Sequence, residues 1–245
     1  MDTPGHIALS RLAAQQRSVD TMAENLANAG TPGFKASRML FSDWLARGSG
    51  ITRPGARDVA FVQDRATFRD LAAGKMTKTD NPLDVAIAGD GFFAIDTPRG
   101  ERYTRAGRFT IAPDGRVTTS EGYALMSTEN QPLIVTEQDS RITIAADGTV
   151  QSENGTLGRI RVVAFDDKNR LRPEGQLLFA SDAPPRAVEA PQISQGMVED
   201  SNVEPIMEMT RLMAEVREFQ FISQFVEREG ERQANVIDRL TRRRS

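Results

Sequence analysis

NLANAGTPGFK, residues 25–35, closes a long helical pattern with Gly30, Pro32 and Gly33, and no second helix follows that could fold back on the first. The pattern opens at Thr3 and Pro4, where Thr3 suits the cap and Pro4 the first helical position, whose N–H would be unpaired anyway. Ala8, Leu12, Gln15, Val19, Met22, Leu26 and Ala29 then recur by alternating steps of four and three residues, the spacing of a coiled-coil seam interrupted at Gln15. Arg11, Arg17, Asp20 and Glu24 fall on the far face, where charge stays in water. One apolar stripe with nothing local to cover it sends the search for a partner elsewhere in the chain.

The other end supplies a candidate. Ser201 with Glu204 makes a capping box, or Glu204 caps and Pro205 takes the first helical position. From there Met209, Leu212, Val216, Phe219, Ser223, Val226, Gly230, Gln233, Ile237 and Leu240 mark a second seam, weakened at Gly230 and Gln233, and Arg242, Arg243 and Arg244 suit a helix C-terminus. Met213, Ile222, Phe225 and Val236 widen the stripe beyond what one partner helix covers, so association with other molecules is expected.

Between the ends the patterning changes twice. Residues 37–73 are irregular, with Phe41 and Trp44 in one apolar patch ahead of GSGITRPGARD, and read as a connector. Residues 74–191 carry short strand-like runs punctuated by Asp-Gly, Glu-Gly and Asn-Gly. RFTIAPDGRVTTSEG at 108–122 aligns without gaps with RITIAADGTVQSENG at 141–155, so one hairpin design is used twice, with Gly115 and Gly148 at the turn. Pro184, Pro185 and Pro191 then mark an extended run, and residues 192–199 read as a linker. The expected fold is α+β: residues 1–36 and 200–245 pairing as a coiled coil and enclosing a mainly antiparallel β domain at 74–191.

Composition limits the function. With 31 basic and 34 acidic residues among 245, no positive field draws nucleic acid, and a nucleic-acid partner is not expected. Cysteine is absent, which removes disulfides, thiolate metal sites and cysteine nucleophiles. No stretch reaches the roughly 20 apolar residues of a membrane span, and MDTPGHIALS lacks the basic-then-apolar pattern of a signal peptide, so neither membrane insertion nor the general secretory route is expected. His6 has no partner at metal-ligand spacing, GDGFF at 89–93 lacks the third glycine of a dinucleotide fingerprint, and DDKNR at 166–170 lacks the glycine and terminal glutamate of a calcium loop. Asp90, Asp114 and Asp147 each precede a glycine, where turn chemistry accounts for them. No enzyme, cofactor or metal site is expected.

Three segments carry a resemblance. NLANAGTPGFK, with Asn25, Asn28, Thr31, Gly33, Phe34 and Lys35 at matching positions, NPLDVAIAGDGFFAIDTPRGERYTRAGRFTIAPDGRVTTSEGY in the centre, and QGMVEDSNVEPIMEMTRLMAEVREFQ near the end resemble, in the family's order, the bacterial flagellar axial proteins of the rod and hook group. Length and the direct MDTPGHIALSR start place the resemblance nearest the minor proximal rod members. Gly30 stands where members often carry Ser or Asn, and Pro32 where many carry another small or polar residue. The resemblance implies end helices in the inner tube of an axial structure, a β-rich outer layer, export by the flagellar type III apparatus, and assembly with other rod proteins and with copies of itself. It also implies a subunit interface at Leu12, Val19, Met22, Asn25, Leu26, Asn28, Gly33, Phe34, Met209, Leu212, Val216, Phe219, Ile222, Val226, Ile237 and Leu240. The other readings are a distal rod or hook-type protein of the same family, an enzyme on the β domain, and a soluble β-rich binding module.

Overall fold

The computed structural model describes the backbone of residues 3–46, 59–136, 138–139, 141–175 and 177–242, and their side chains except at 3–9, 41–46, 59–66, 229, 233 and 235–242. Ala8, Phe41, Trp44, Gln233, Val236, Ile237 and Leu240 therefore lie outside the described side chains, as does His6, and residues 47–58 with most of GSGITRPGARD lie outside the described backbone. The chain divides into two compact units, one of Met1–Ala27, Ser37–Phe68 and Glu204–Ser245, the other of Asn28–Ala36 and Arg69–Val203.

The first unit holds α1 (Thr3–Ala27), a two-stranded sheet of β1 (Ser37–Ala46) and β2 (Val59–Arg69, its last residue assigned to the second unit), and α2 (Pro205–Arg242). Pro205 takes the first helical position, where its fixed φ costs nothing. The strands β1 and β2 occupy residues read as a connector.

The second unit is built of short strands. They are β3 (Met76–Lys78), β4 (Val85–Ala88), β5 (Phe92–Thr97), β6 (Gly100–Thr104), β7 (Thr110–Ile111), β8 (Val117–Thr118), β9 (Ala124–Leu125), β10 (Thr143–Ile144), β11 (Thr149–Ser152) and β12 (Gly155–Arg159). They continue as β13 (Val162–Ala164), β14 (Leu171–Glu174), β15 (Leu178–Ser181), β16 (Arg186–Ala187), β17 (Gln192–Gln195) and β18 (Met197–Glu199). The main sheet runs β14-β15-β6-β5-β9-β8-β7, with β13 pairing both β5 and β16. Smaller sheets are β10-β11-β12, β17-β4 and β18-β3, and their strands pair antiparallel. Strand β5 is covered on both faces, as alternation requires: Phe93 and Ile95 enter a core with Val85, Phe109, Leu125 and Ile160, while Phe92 enters another with Tyr103, Val163, Phe165 and Phe179. Residues 192–199, read as a linker, form β17 and β18; Pro191 ends the proline run immediately before the first of them.

The twice-used hairpin is present. β7 pairs β8 through Thr110–Thr118 and Ile111–Val117, and β10 pairs β11 through Thr143–Gln151 and Ile144–Val150. In each turn the glycine has positive φ, 82° at Gly115 and 90° at Gly148, and donates its amide to the residue three back, Ala112 or Ala145. The aspartate before it accepts an amide two residues on, Asp114 from Arg116 at 3.1 Å and Asp147 from Thr149 at 3.0 Å. DDKNR forms a surface 3₁₀ turn, with Asp167 accepting from the Asn169 amide.

The coiled-coil α+β expectation is corrected by the structure. Among the described residues the fold is mainly β with two α-helices, and α1 does not present an apolar seam. Its buried residues are Ala14, Gln15, Ser18 and Asn25, whereas Leu12, Val19, Met22 and Leu26 are only half-buried. Ala14, Ser18 and Asn25 each precede a seam position by one residue, a rotation of about 100°. Small and polar groups there cannot act as knobs in holes, and the buried Gln15 carbonyl oxygen has no hydrogen-bond partner among the described residues. The two helices do touch, through the buried bond of Asn25 to Glu208 and an exposed ion pair of Arg11 with Glu218, contacts made by polar groups and not by an apolar seam.

The two turns should tolerate a methyl group differently. A Cβ at Gly115 would stand 2.5 Å from the Val135 carbonyl oxygen, while at Gly148 it would meet the Cδ1 of the Ile193 side chain at 3.1 Å. Both substitutions incur the positive-φ cost of about 1–2 kcal/mol. Urea unfolding should show Gly148→Ala losing about that much and Gly115→Ala about 2–4 kcal/mol, because backbone cannot move aside as a side chain can. Equal losses would contradict this reading of the turns.

Candidate functional site

The stretch that ends α1 is held by two buried polar clusters, one in each unit. Helix α1 stops at Ala27, and the chain turns with the Thr31 amide on the Asn28 carbonyl at 3.1 Å and the Phe34 amide on the Thr31 carbonyl at 3.2 Å. Gly33 has φ +74°, and a Cβ there would lie 2.3 Å from the Ala106 nitrogen, so only glycine fits. Its amide donates to the Glu199 carbonyl at 2.7 Å. Phe34 is fully buried with Ala36 and Val203, and the Arg69 guanidinium lies 4.9 Å from its ring centroid.

Lys35 follows, also buried. Its ammonium donates to Glu199 Oε1 at 2.5 Å and to the Ala72 carbonyl at 2.8 Å. Arg105 donates to Glu199 Oε2 at 3.1 Å and to the carbonyls of Ile87 and Gly89. The Gly74 amide adds a further donor to Glu199 Oε1 at 2.9 Å, and Asn202 accepts from the Ala36 amide while donating to the Asp70 carbonyl. Two cations thus share one carboxylate, with backbone carbonyls completing their shells. Burial pushes the Lys35 pKa down, and the bond and charge of Glu199 act against that shift; burial lowers Arg105 likewise.

In the first unit Asn25 is the hub. Its amide donates to the Ser37 carbonyl at 2.9 Å and to Glu208 Oε1 at 2.8 Å, and its carbonyl accepts from the Ser37 amide at 2.8 Å. Glu208, buried on α2, pairs with Arg38 at 3.1 Å and Arg211 at 3.6 Å. Every bond named for Asn25 is therefore within the chain.

The remaining expected interface positions separate by exposure. Asn28, Gly33, Phe34 and Ile222 are buried; Leu212, Val216, Phe219 and Val226 are half-buried; Met209 is 45 % exposed. On α2 the covered face carries Glu208, Leu212, Phe219, Ile222 and Val226. Opposite it, at about 100° per residue, stand Ile206 at 82 %, Met213 at 54 % and Phe221 at 72 % exposure, flanked by Met207, Met209 and Phe225. Of the surplus residues read from the sequence, Met213 and Phe225 are left in solvent and Ile222 is covered. Beside the arm, a groove of about 290 Å³ is lined by Thr31, Pro32, Arg108, Glu121 and Leu177 among others. No group of three or more His, Cys, Asp or Glu able to hold a metal ion occurs among the described residues.

Sequence reasoning missed Glu199, Arg105 and Glu208. The available signal was weak: a lysine directly after Gly-Phe, and glutamates in the apolar settings MVED and PIMEM.

Gly33→Ala should cost about 2–4 kcal/mol in urea unfolding, since the methyl group meets backbone and the residue loses its conformation. Asn25→Ala should cost about 2–3 kcal/mol, because it strands both Ser37 backbone groups and one Glu208 oxygen. A loss under 1 kcal/mol in either would contradict the packing described.

Three family models match in chain order: flagella basal body rod protein at residues 6–35, flagellar hook protein FlgE/F/G D1 domain at 86–152, and flagellar basal body rod FlgEFG protein C-terminal at 194–239. Asn25 and Lys35 lie in the first match, Arg105 in the second, and Glu199 and Glu208 in the third. The chain is 34 % identical over 242 residues to the flagellar basal-body rod protein FlgF of Caulobacter vibrioides, covering 98 % of each chain. It is 34 % identical over 218 residues to FlgF of Mesorhizobium japonicum, covering 88 % of each, and 32 % identical over 246 residues to FlgG of Caulobacter vibrioides, covering 89 % of this chain and 92 % of that one. With its three matched segments in order and likeness to FlgF along nearly its whole length, the chain belongs to the bacterial flagellar basal-body rod protein family.

Proposed function

We propose that the exposed apolar face of α2 is the surface through which this protein joins its neighbours in the rod. The protein is a structural subunit of the flagellar basal-body rod, not an enzyme, and its place is the basal body, in assembly with other rod proteins. The observation that carries the interface reading is the row of Ile206, Met213 and Phe221, with Met209 beside it, on the side of α2 away from its covered face. Each such side chain gains about 1.5–3 kcal/mol on full burial, so a few together favour association strongly. Leu12, Val19, Met22 and Leu26 on α1, and Leu212, Val216, Phe219 and Val226 on α2, are half-buried, and the parts of them left in solvent add apolar contact area beyond that exposed face. Asn28, Gly33, Phe34 and Ile222 act from inside the subunit by fixing where the arm leaves α1 and how α2 is seated. Ile237 and Leu240, whose side chains lie outside those described, belong to the proposed interface on the sequence pattern alone.

The finer partners are copies of this chain and the flagellar type III export apparatus. Family membership supports both, and a mutant lacking that apparatus should retain the chain in the cytoplasm. Its appearance outside the cytoplasm in such a mutant would contradict the export route.

Phe221→Asp should leave the urea midpoint of the isolated subunit within error, because the side chain is already in water. It should abolish incorporation into the rod and swimming, since a carboxylate would be buried against apolar neighbours. Normal swimming of the Phe221→Asp strain would contradict the interface.

A further inference from the structure

We propose that Glu199 is the closing group of the second unit: the arm at residues 28–36 and strand β18 dock only together, because Lys35 and Arg105 cannot leave water until that carboxylate arrives. The placement of the three groups carries this. Lys35 and Glu199 are only 1–2 % exposed and Arg105 7 %, and both cations contact the same carboxylate, one on each oxygen. The backbone ties the same parts together, with the Gly33 amide on the Glu199 carbonyl and the Asp200 amide on the Lys75 carbonyl. Without Glu199, closing the arm would bury two positive charges with only neutral carbonyls beside them, and an isolated buried charge is strongly disfavoured.

Position in the chain turns this into an order of events. Lys35 and Arg105 are made 164 and 94 residues before Glu199, and synthesis proceeds from the N-terminus. The arm therefore has no stable seat on a partly made chain. It stays open until β18 follows, so the segment matching the rod-protein N-terminus remains extended while the hairpins of the β domain are free to form. Glu208 plays the matching part in the first unit, where Asn25 and Arg38 likewise wait for a carboxylate from the C-terminal region.

The test uses the full chain and trypsin, for which Arg105 is a buried cleavage site and Arg141, ahead of the second hairpin, an internal reference. Glu199→Gln should accelerate cleavage after Arg105 on the order of 100-fold relative to the wild-type chain. Adding Lys35→Met to Glu199→Gln should recover at least tenfold of that, since one of the two uncompensated cations is gone. Should Glu199→Gln fail to fold, Lys35→Met alone should still fold and keep Arg105 protected within threefold of wild type, because it leaves one cation paired with the Glu199 carboxylate. Cleavage after Arg105 in Glu199→Gln within threefold of wild type would overturn the proposal. So would a Lys35→Met addition that recovers nothing, or a Lys35→Met single variant cleaved after Arg105 more than tenfold faster than wild type.

Discussion

Burial of a carboxylate against polar groups from a distant part of the chain is the constraint on which this structure rests. Glu199 and Glu208 come from the C-terminal region and bond Lys35 and Asn25, ten residues apart in the stretch that ends the first helix. A buried ion is tolerated only when its partners are in place and its remaining hydrogen bonds are satisfied, and here backbone groups complete the Glu199 cluster while the Arg38 and Arg211 side chains flank Glu208. The geometry fixes one register: a slip of the arm by one residue would bring Phe34 or Ala36 to Glu199, taking Lys35 away from its carboxylate, and would drive a Cβ into Ala106 at the place only Gly33 can occupy. Apolar packing alone, such as Phe34 on Val203, would not discriminate so sharply.

This arrangement separates the work of holding the subunit together from the work of joining others. Inside, polar groups with strict geometry close the N-terminal stretch onto the C-terminal one. Outside, α2 keeps Ile206, Met213 and Phe221 in solvent, side chains whose attraction is strong but undirected. A rod subunit needs both properties: a single internal arrangement, and a surface that gains from contact with neighbours. The second unit contributes the Glu199 cluster to the first of these, and its strands pack two apolar cores around β5.

Much of this was legible in the sequence where the signal is local. The stop at Gly30, Pro32 and Gly33, the start of α2 at Pro205 and the two Asp-Gly turns follow from short-range backbone chemistry, and each is found. The surplus of apolar residues on α2 was legible too, although Ile222 turned inward. What failed was inference from periodicity. The Leu12, Val19 and Leu26 pattern implied a seam, yet the helix buries Ala14, Ser18 and Asn25, because a polar side chain with a good distant partner outweighs a modest apolar preference, and spacing carries no record of partners 183 residues away. The prolines before residue 192 suggested a linker, but they end where β17 begins, and a strand needs only that its own residues keep their amides. Residues 37–46 and 59–69 showed no strong alternation and still pair as strands.

The most direct measurement is native-state amide hydrogen exchange on the wild-type subunit across a series of low denaturant concentrations. The Gly33 and Ala36 amides of the arm should open with the same free energy and the same denaturant dependence as the Asp200 amide that ties the end of β18 to Lys75, since neither segment can leave without exposing the other's charge. Arm amides that open independently, at a lower free energy and with a shallower dependence than Asp200, would show that the carboxylate does not hold the two segments as one.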